Sequence, residues 1–214
     1  MTTENLIARL CAQLRPVQRL PSCGILIALW SAVCLVVVGA AVWHYGLRPD
    51  LGDRLAVGFQ LPQILAALLV GGMAGYAAFR LVRPETDRRW VLLPLPALGL
   101  WLLIMTSFCV EEVGRIGMAA LAIEPSYPCL IFVLGVGAPL SMAMMWMARH
   151  AAPLCPGTVS TLAGLSAAAF ASVGLSMINA LDAAAMVLVW HGMAVLAMTL
   201  LARLCGPGCM RLMA

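Results

Sequence analysis

The sequence predicts an all-α integral membrane protein: a bundle of six transmembrane helices with both termini in the cytoplasm, preceded by a short amphipathic N-terminal cytoplasmic helix. Three observations predict it. The composition is 63% hydrophobic and only 10% charged, with a mean hydropathy of +0.99, whereas soluble chains are about 45–50% apolar and about 25% charged. One core in 214 residues cannot hide that much apolar surface, so lipid must solvate the excess. Six apolar runs each come close to the roughly 20 residues a helix needs to cross a bilayer. Finally, all 13 basic residues are Arg, and ten of them fall on one side of the resulting topology. The positive-inside rule makes that side cytoplasmic.

The runs are Gly24–His44, Val57–Phe79, Trp90–Cys109, Cys129–Ala148, Thr158–Asn179 and Ala184–Leu204. Run length and the lack of ten-residue alternation select helices over barrel strands. The chain therefore divides into a cytoplasmic segment 1–22, a membrane domain 23–205 and a cytoplasmic tail 206–214. The first 22 residues carry Glu4, Arg9, Arg15 and Arg19 ahead of a long run with no small-residue cleavage site, so the first span is expected to remain as an anchor. Arg9, Arg15, Arg19, Arg80, Arg83, Arg88, Arg89, Arg149, Arg203 and Arg211 share the cytoplasmic side. Arg48, Arg54 and Arg115 lie opposite, with Asp50, Asp53, Glu111, Glu112, Glu124 and Asp182.

Lipid removes the hydrophobic drive between apolar helix faces, so small residues should mediate packing. Gly71 and Gly75 sit four apart in the second span, and Gly164, Ala168, Ser172 and Ser176 form a stripe in the fifth. Pro139 is expected to kink the fourth span, while Pro94 and Pro96 fall in the first turns of the third, where a missing N–H matters least.

In the N-terminal segment, Thr3 can cap a helix on which Leu6, Ile7, Leu10, Cys11 and Leu14 form one apolar stripe before Pro16 ends it. So short a helix is marginal in water and needs a surface. Two surfaces fit the residues: the membrane interface, which composition favours, and a groove on a cytoplasmic protein partner.

No catalytic motif is present, and no enzyme activity, cofactor or metal site is expected. His44, His150 and His191 are scattered, without HExxH, GxSxG or a phosphate-cradling glycine loop. His191 is expected to hydrogen-bond across helices rather than ligate a metal. The span interiors hold no Asp, Glu or Arg, which weighs against ion transport. A small multi-pass transporter or channel remains the alternative from another class, and a membrane thiol oxidoreductase a third. The net charge of +4 does not signal nucleic-acid binding, because the arginines sit in short loops beside apolar runs. Of the eight cysteines, Cys109 and Cys129 fall at the outer ends of the third and fourth spans. They read either as two buried thiols at helix ends or as a reversible thiol pair that senses oxidants or thiophilic metals.

Several short stretches carry a resemblance. Glu4-Asn5-Leu6-Ile7 is followed by Pro16-Val17-Gln18-Arg19-Leu20-Pro21, and then, after the first span, by Gly46-Leu47-Arg48-Pro49-Asp50-Leu51. Arg83-Pro84, Cys129 ten residues before Pro139, and Trp190 with Gly192 complete the order. In these the chain resembles the NrsF-type negative regulators of sigma-F, six-span bacterial membrane anti-sigma proteins. The resemblance implies a role, not a reaction. It implies a chain that holds an extracytoplasmic-function sigma factor at the inner membrane and releases it under stress, with Leu6, Ile7, Leu10 and Leu14 as the contact. It marks Gly46, Arg48, Pro49, Asp50, Asp182 and Trp190 as motif residues. The family often carries a second cysteine in a His-Cys-Pro-Glu-Asp-Ser run at the outer end of the fifth span. Aligned back from Trp190, Asp182 falls on the Asp, Ile178 on the His and Asn179 on the Cys, so this chain keeps only Cys129, with Cys109, on the same side of the membrane, as the candidate substitute partner.

Overall fold

The computed structural model describes residues 3–12, 21–56, 60–121, 126–148, 155–179 and 183–213. Among these, the regular structure is entirely helical: α1 Thr3–Ala12, α2 Cys23–Tyr45, α3 Leu51–Ala56, α4 Gln60–Leu81, α5 Leu95–Ile116, α6 Tyr127–Met147, α7 Pro156–Ile178 and α8 Ala184–Met213. Six of them (α2 and α4 to α8) are long and apolar enough to cross a membrane. Short 3-10 turns, Arg88–Leu92 and Gly117–Leu121, flank α5.

The fifth span is the centre of the bundle. In α7, 72% of the most apolar window is buried inside the protein, against 22% in α2 and in α5. It packs on α8, α4, α6 and α2. The cause is its run of small side chains: Ala163, Ala167, Ala168 and Ala171 are fully enclosed, and Gly164, Ser172 and Ser176 are buried with them. A β-carbon on Gly164 would meet Ala202 at 2.5 Å, and one on Gly75 would meet Ser166, Ile27 and Trp30 at 3.0–3.1 Å. Close backbone approach of this kind replaces the missing hydrophobic drive with dispersion contacts. Around α7, Trp30, Cys34, Ala74, Ala77, Leu140 and Met144 make one core. The Trp30 indole donates to Ser166 Oγ at 3.0 Å, and Ser166 donates to the Gly71 carbonyl at 2.7 Å, so one buried relay joins α2, α7 and α4.

Two helices outrun the expected spans. The third continues past Cys109 because Glu111 and Arg115 pair at i,i+4 (2.6 Å) and nothing stops it until Gly117, at φ 70°. The segment 206–214, set apart as a tail on sequence, continues α8 through Pro207 to Met213. Packing accounts for this. Met210 is buried with Val82, Met145, Ala148 and Val159, and a β-carbon on Gly206 would collide with Ser160. This cluster, with the Cys23 thiol facing the Phe79 carbonyl at 3.7 Å, puts the start of α2 and the end of α8 at one end of the bundle. That end is called the terminal end below; the other is the far end.

Candidate functional site

Two features stand out from the lipid-facing bundle: the N-terminal helix and a polar node at the far end. Glu4 lies in the first turn of α1, where a carboxylate suits the exposed N–H groups. Ile7, on the expected apolar stripe, is 54% exposed. Among the described residues, α1 is not one of the helices that pack extensively on one another. The side chains of Leu6 and Leu10, and all of Leu14, lie outside the described residues.

The far-end node is built where α2 stops. Gly46 ends α2 at φ 85°, a conformation that favours glycine, and its N–H donates to the Val42 carbonyl. The chain then turns inward. The Arg48 N–H donates to the Met177 carbonyl at 3.1 Å, and its guanidinium donates to the Asn179 carbonyl at 3.2 Å. The same guanidinium grips Asp50 in a two-pronged pair, 2.7 Å and 2.8 Å, and Arg54 adds a 3.2 Å bond from the last turn of α3. Arg48 is only 5% exposed, and this bidentate fork supplies the partners its burial requires. The Arg48 hydrogen bonds hold the Asp50 carboxyl down at about 2. Pro49 is exposed between the two charges.

Asn179 carries the node deeper. Its side-chain amide donates to the Cys129 sulfur at 3.2 Å, and Ser126 Oγ lies 2.9 Å from the same atom. One turn inward, Gln60 donates to the Ser176 carbonyl at 2.7 Å and Gln63 to its hydroxyl at 3.0 Å. Glu112 reaches from α5 to the Ala184 N–H at 3.0 Å, capping the start of α8. The buried Gln63 Oε1, Ser172 Oγ and His191 Nδ1 make no hydrogen bond. His191 is thus buried as the sequence suggests, but its Nδ1 lacks the cross-helix bond expected of it.

Comparison with known proteins follows this geometry. The family profile described as NrsF, "Negative regulator of sigma F", matches residues 10–212. The chain belongs to this family. No curated protein and no solved structure matches it. Negative regulation of sigma F is what the family name denotes, and a sigma factor is the partner it implies.

Within this NrsF chain the motif residues divide by place. Gly46, Arg48, Pro49 and Asp50 form the node, while Trp190 packs its ring against Tyr127 at 5.9 Å and Asp182 lies outside the described residues. Asn179 touches Cys129. The structure does not bring Cys109 to Cys129. Cys109 packs against the group of Ile64, Met105 and Val187, and Cys129 against Val133, Ala168 and Leu175. All eight cysteines are free thiols. Sequence reasoning missed Gln60 and Gln63. Their signal is two amides three residues apart at the head of a span, a place where lipid offers no hydrogen-bond partner.

Proposed function

We propose that this NrsF-family chain is an anti-sigma factor that tethers an extracytoplasmic-function sigma factor to the bacterial inner membrane and releases it under stress. On this reading both termini are cytoplasmic, and the stripe Leu6, Ile7, Leu10 and Leu14 on the N-terminal segment is the sigma contact. The observation that carries it is the family match over nearly the whole chain. Ten of the 13 arginines on the terminal side of the topology support the orientation. An exposed Ile7, on a helix without extensive bundle packing among the described residues, supports the contact. A partner that buries this stripe in a groove would supply the surface so short a helix lacks.

Co-purification from membranes tests this, using each extracytoplasmic-function sigma factor of the same bacterium as bait. Full-length protein is expected to capture one of them. A variant with Leu6, Leu10 and Leu14 all changed to Asp is expected to insert normally and lose capture. Undiminished capture by that variant overturns the contact; no capture by inserted full-length protein overturns the anti-sigma reading itself.

A further inference from the structure

We propose that Arg80 is the centre of a binding site for the phosphate of an anionic phospholipid headgroup. The proposal is independent of sigma binding. Arg80 lies in the last turn of α4, one turn beyond Tyr76. Its guanidinium carbon sits 4.5 Å from the centre of the Trp90 ring and 6.0 Å from that of Tyr76. The two rings also meet each other edge to face, with centroids 5.8 Å apart. Trp90 is fixed in turn by the 3-10 turn Arg88–Leu92, whose start is capped by Asp87 accepting the Arg89 N–H at 3.0 Å.

A guanidinium held against aromatic faces has already lost its rotamer freedom. Its hydrogen-bonding edge is nevertheless unspent. Arg80 Nε is buried without a partner, and none of the described carboxylates pairs with Arg80. The carboxylate of Asp87 is engaged with Arg89. The partner that suits an unpaired planar fork best brings negative charge and acceptor oxygens, as a phosphate does.

The surroundings select a lipid phosphate. Trp and Tyr prefer the membrane–water boundary, so the clamp stands at headgroup level. Beside it Leu92 and Leu95 are 55% and 52% exposed, a strip along which acyl chains can lie. Arg88 and Arg89, exposed on the adjoining turn, add positive charge above it. A free phosphate would use the arginine edge and leave the leucine strip without a role.

The test is thermal unfolding of the purified full chain in uncharged detergent, titrated with phosphatidylglycerol, phosphatidylcholine or sodium phosphate at matched ionic strength. Phosphatidylglycerol is expected to raise Tm saturably, and the other two to leave it nearly unchanged. Arg80→Gln is expected to weaken the apparent affinity at least tenfold, Arg80→Lys to weaken it partly, and Arg89→Gln to change it less than threefold. If Arg80→Gln fails to fold, Trp90→Leu replaces it, since it keeps the charge and removes the clamp; the same tenfold loss is expected. Equal responses in wild type and the clamp variants overturn the proposal. A full response to sodium phosphate alone assigns the site to the free anion and overturns the lipid.

Discussion

Replacing Asn179 by Cys should create a thiol pair with Cys129. The Asn179 amide nitrogen is 3.2 Å from Cys129 Sγ, and a disulfide requires Sγ atoms at about 2.05 Å with β-carbons about 3.5–4.5 Å apart. Cysteine is shorter than asparagine, so position 179 must shift toward α6. It can do so cheaply, because Asn179 is the C-cap of α7 with an extended backbone (φ −93°, ψ 138°). Its carbonyl, which serves Arg48, is retained. Closing a loop of about 50 residues stabilises a chain by up to about 4 kcal/mol when the unfolded state is a random coil. Helices persist in an unfolded membrane protein, so a smaller gain, raising Tm by several degrees, is expected. The variant has nine thiols where the natural chain has eight. Mild oxidation of the folded protein should remove two of them, raise Tm, and do neither in the same variant with Cys129→Ser. If all nine remain titratable after oxidation, or if Cys109 is consumed instead of Cys129, the placement of Asn179 against Cys129 is wrong.

Two further outcomes follow from the packing and the charges. The Asp50 carboxyl, lowered from 3.8 to about 2 by Arg48, stabilises the fold above about pH 4, a contribution lost as pH falls toward 2; Tm should drop over that window more steeply in wild type than in Asp50→Asn. Gly206→Val, which drives a side chain into Ser160, should cost about 1–3 kcal/mol by overpacking. Gly208→Val, with open space around its β-carbon, should leave thermal unfolding in detergent nearly unchanged.

The spans were legible because lipid demands long apolar runs: all six are found, four of them within a few residues of the expected ends. The ends that moved were decided by contacts that hydropathy does not see: the Glu111–Arg115 pair within α5 and the burial of Met210 by residues more than fifty positions away. Neighbour order was less legible. The sequence left open whether Cys109 and Cys129 pair or stand apart; α5 packs on α4 and α8, while α6 packs on α7, α8 and α2. The Arg48-Pro49-Asp50 motif could be quoted from sequence, yet its acceptors lie on Met177 and Asn179, a long-range match that no local periodicity encodes. His191 was placed in a span, but nothing in its neighbours indicated that Nδ1 would be left without a bond.

Where lipid solvates every apolar face alike, polar bonds decide which helix arrangement wins. In this chain many of the described cross-helix bonds converge on α7: Trp30 and Gly71 through Ser166, Gln60 and Gln63 at Ser176, Arg48 and Cys129 at Asn179. The Arg48 bonds differ from the rest because they hold the end of α2, the least buried span together with α5. On the proposed anti-sigma reading, α2 matters more than its burial suggests. It is one rod of 23 residues without proline, about 35 Å long, and runs from the far-end node to Pro21, whose carbonyl accepts from Arg83 at 2.9 Å. Any far-end event that moves the last turn of α7 withdraws the Met177 and Asn179 carbonyls from Arg48 together. The charge-assisted bond to Asn179 is worth about 1.5–3 kcal/mol and the backbone bond about 0.5–1.5. On that reading a state that loses both bonds lies about 2–4.5 kcal/mol higher, a population of roughly 3×10⁻² to 5×10⁻⁴ without a signal. A gap of that size suits a switch: wide enough to keep α2 docked at rest, and narrow enough for one ligand or bond at the far end to overcome.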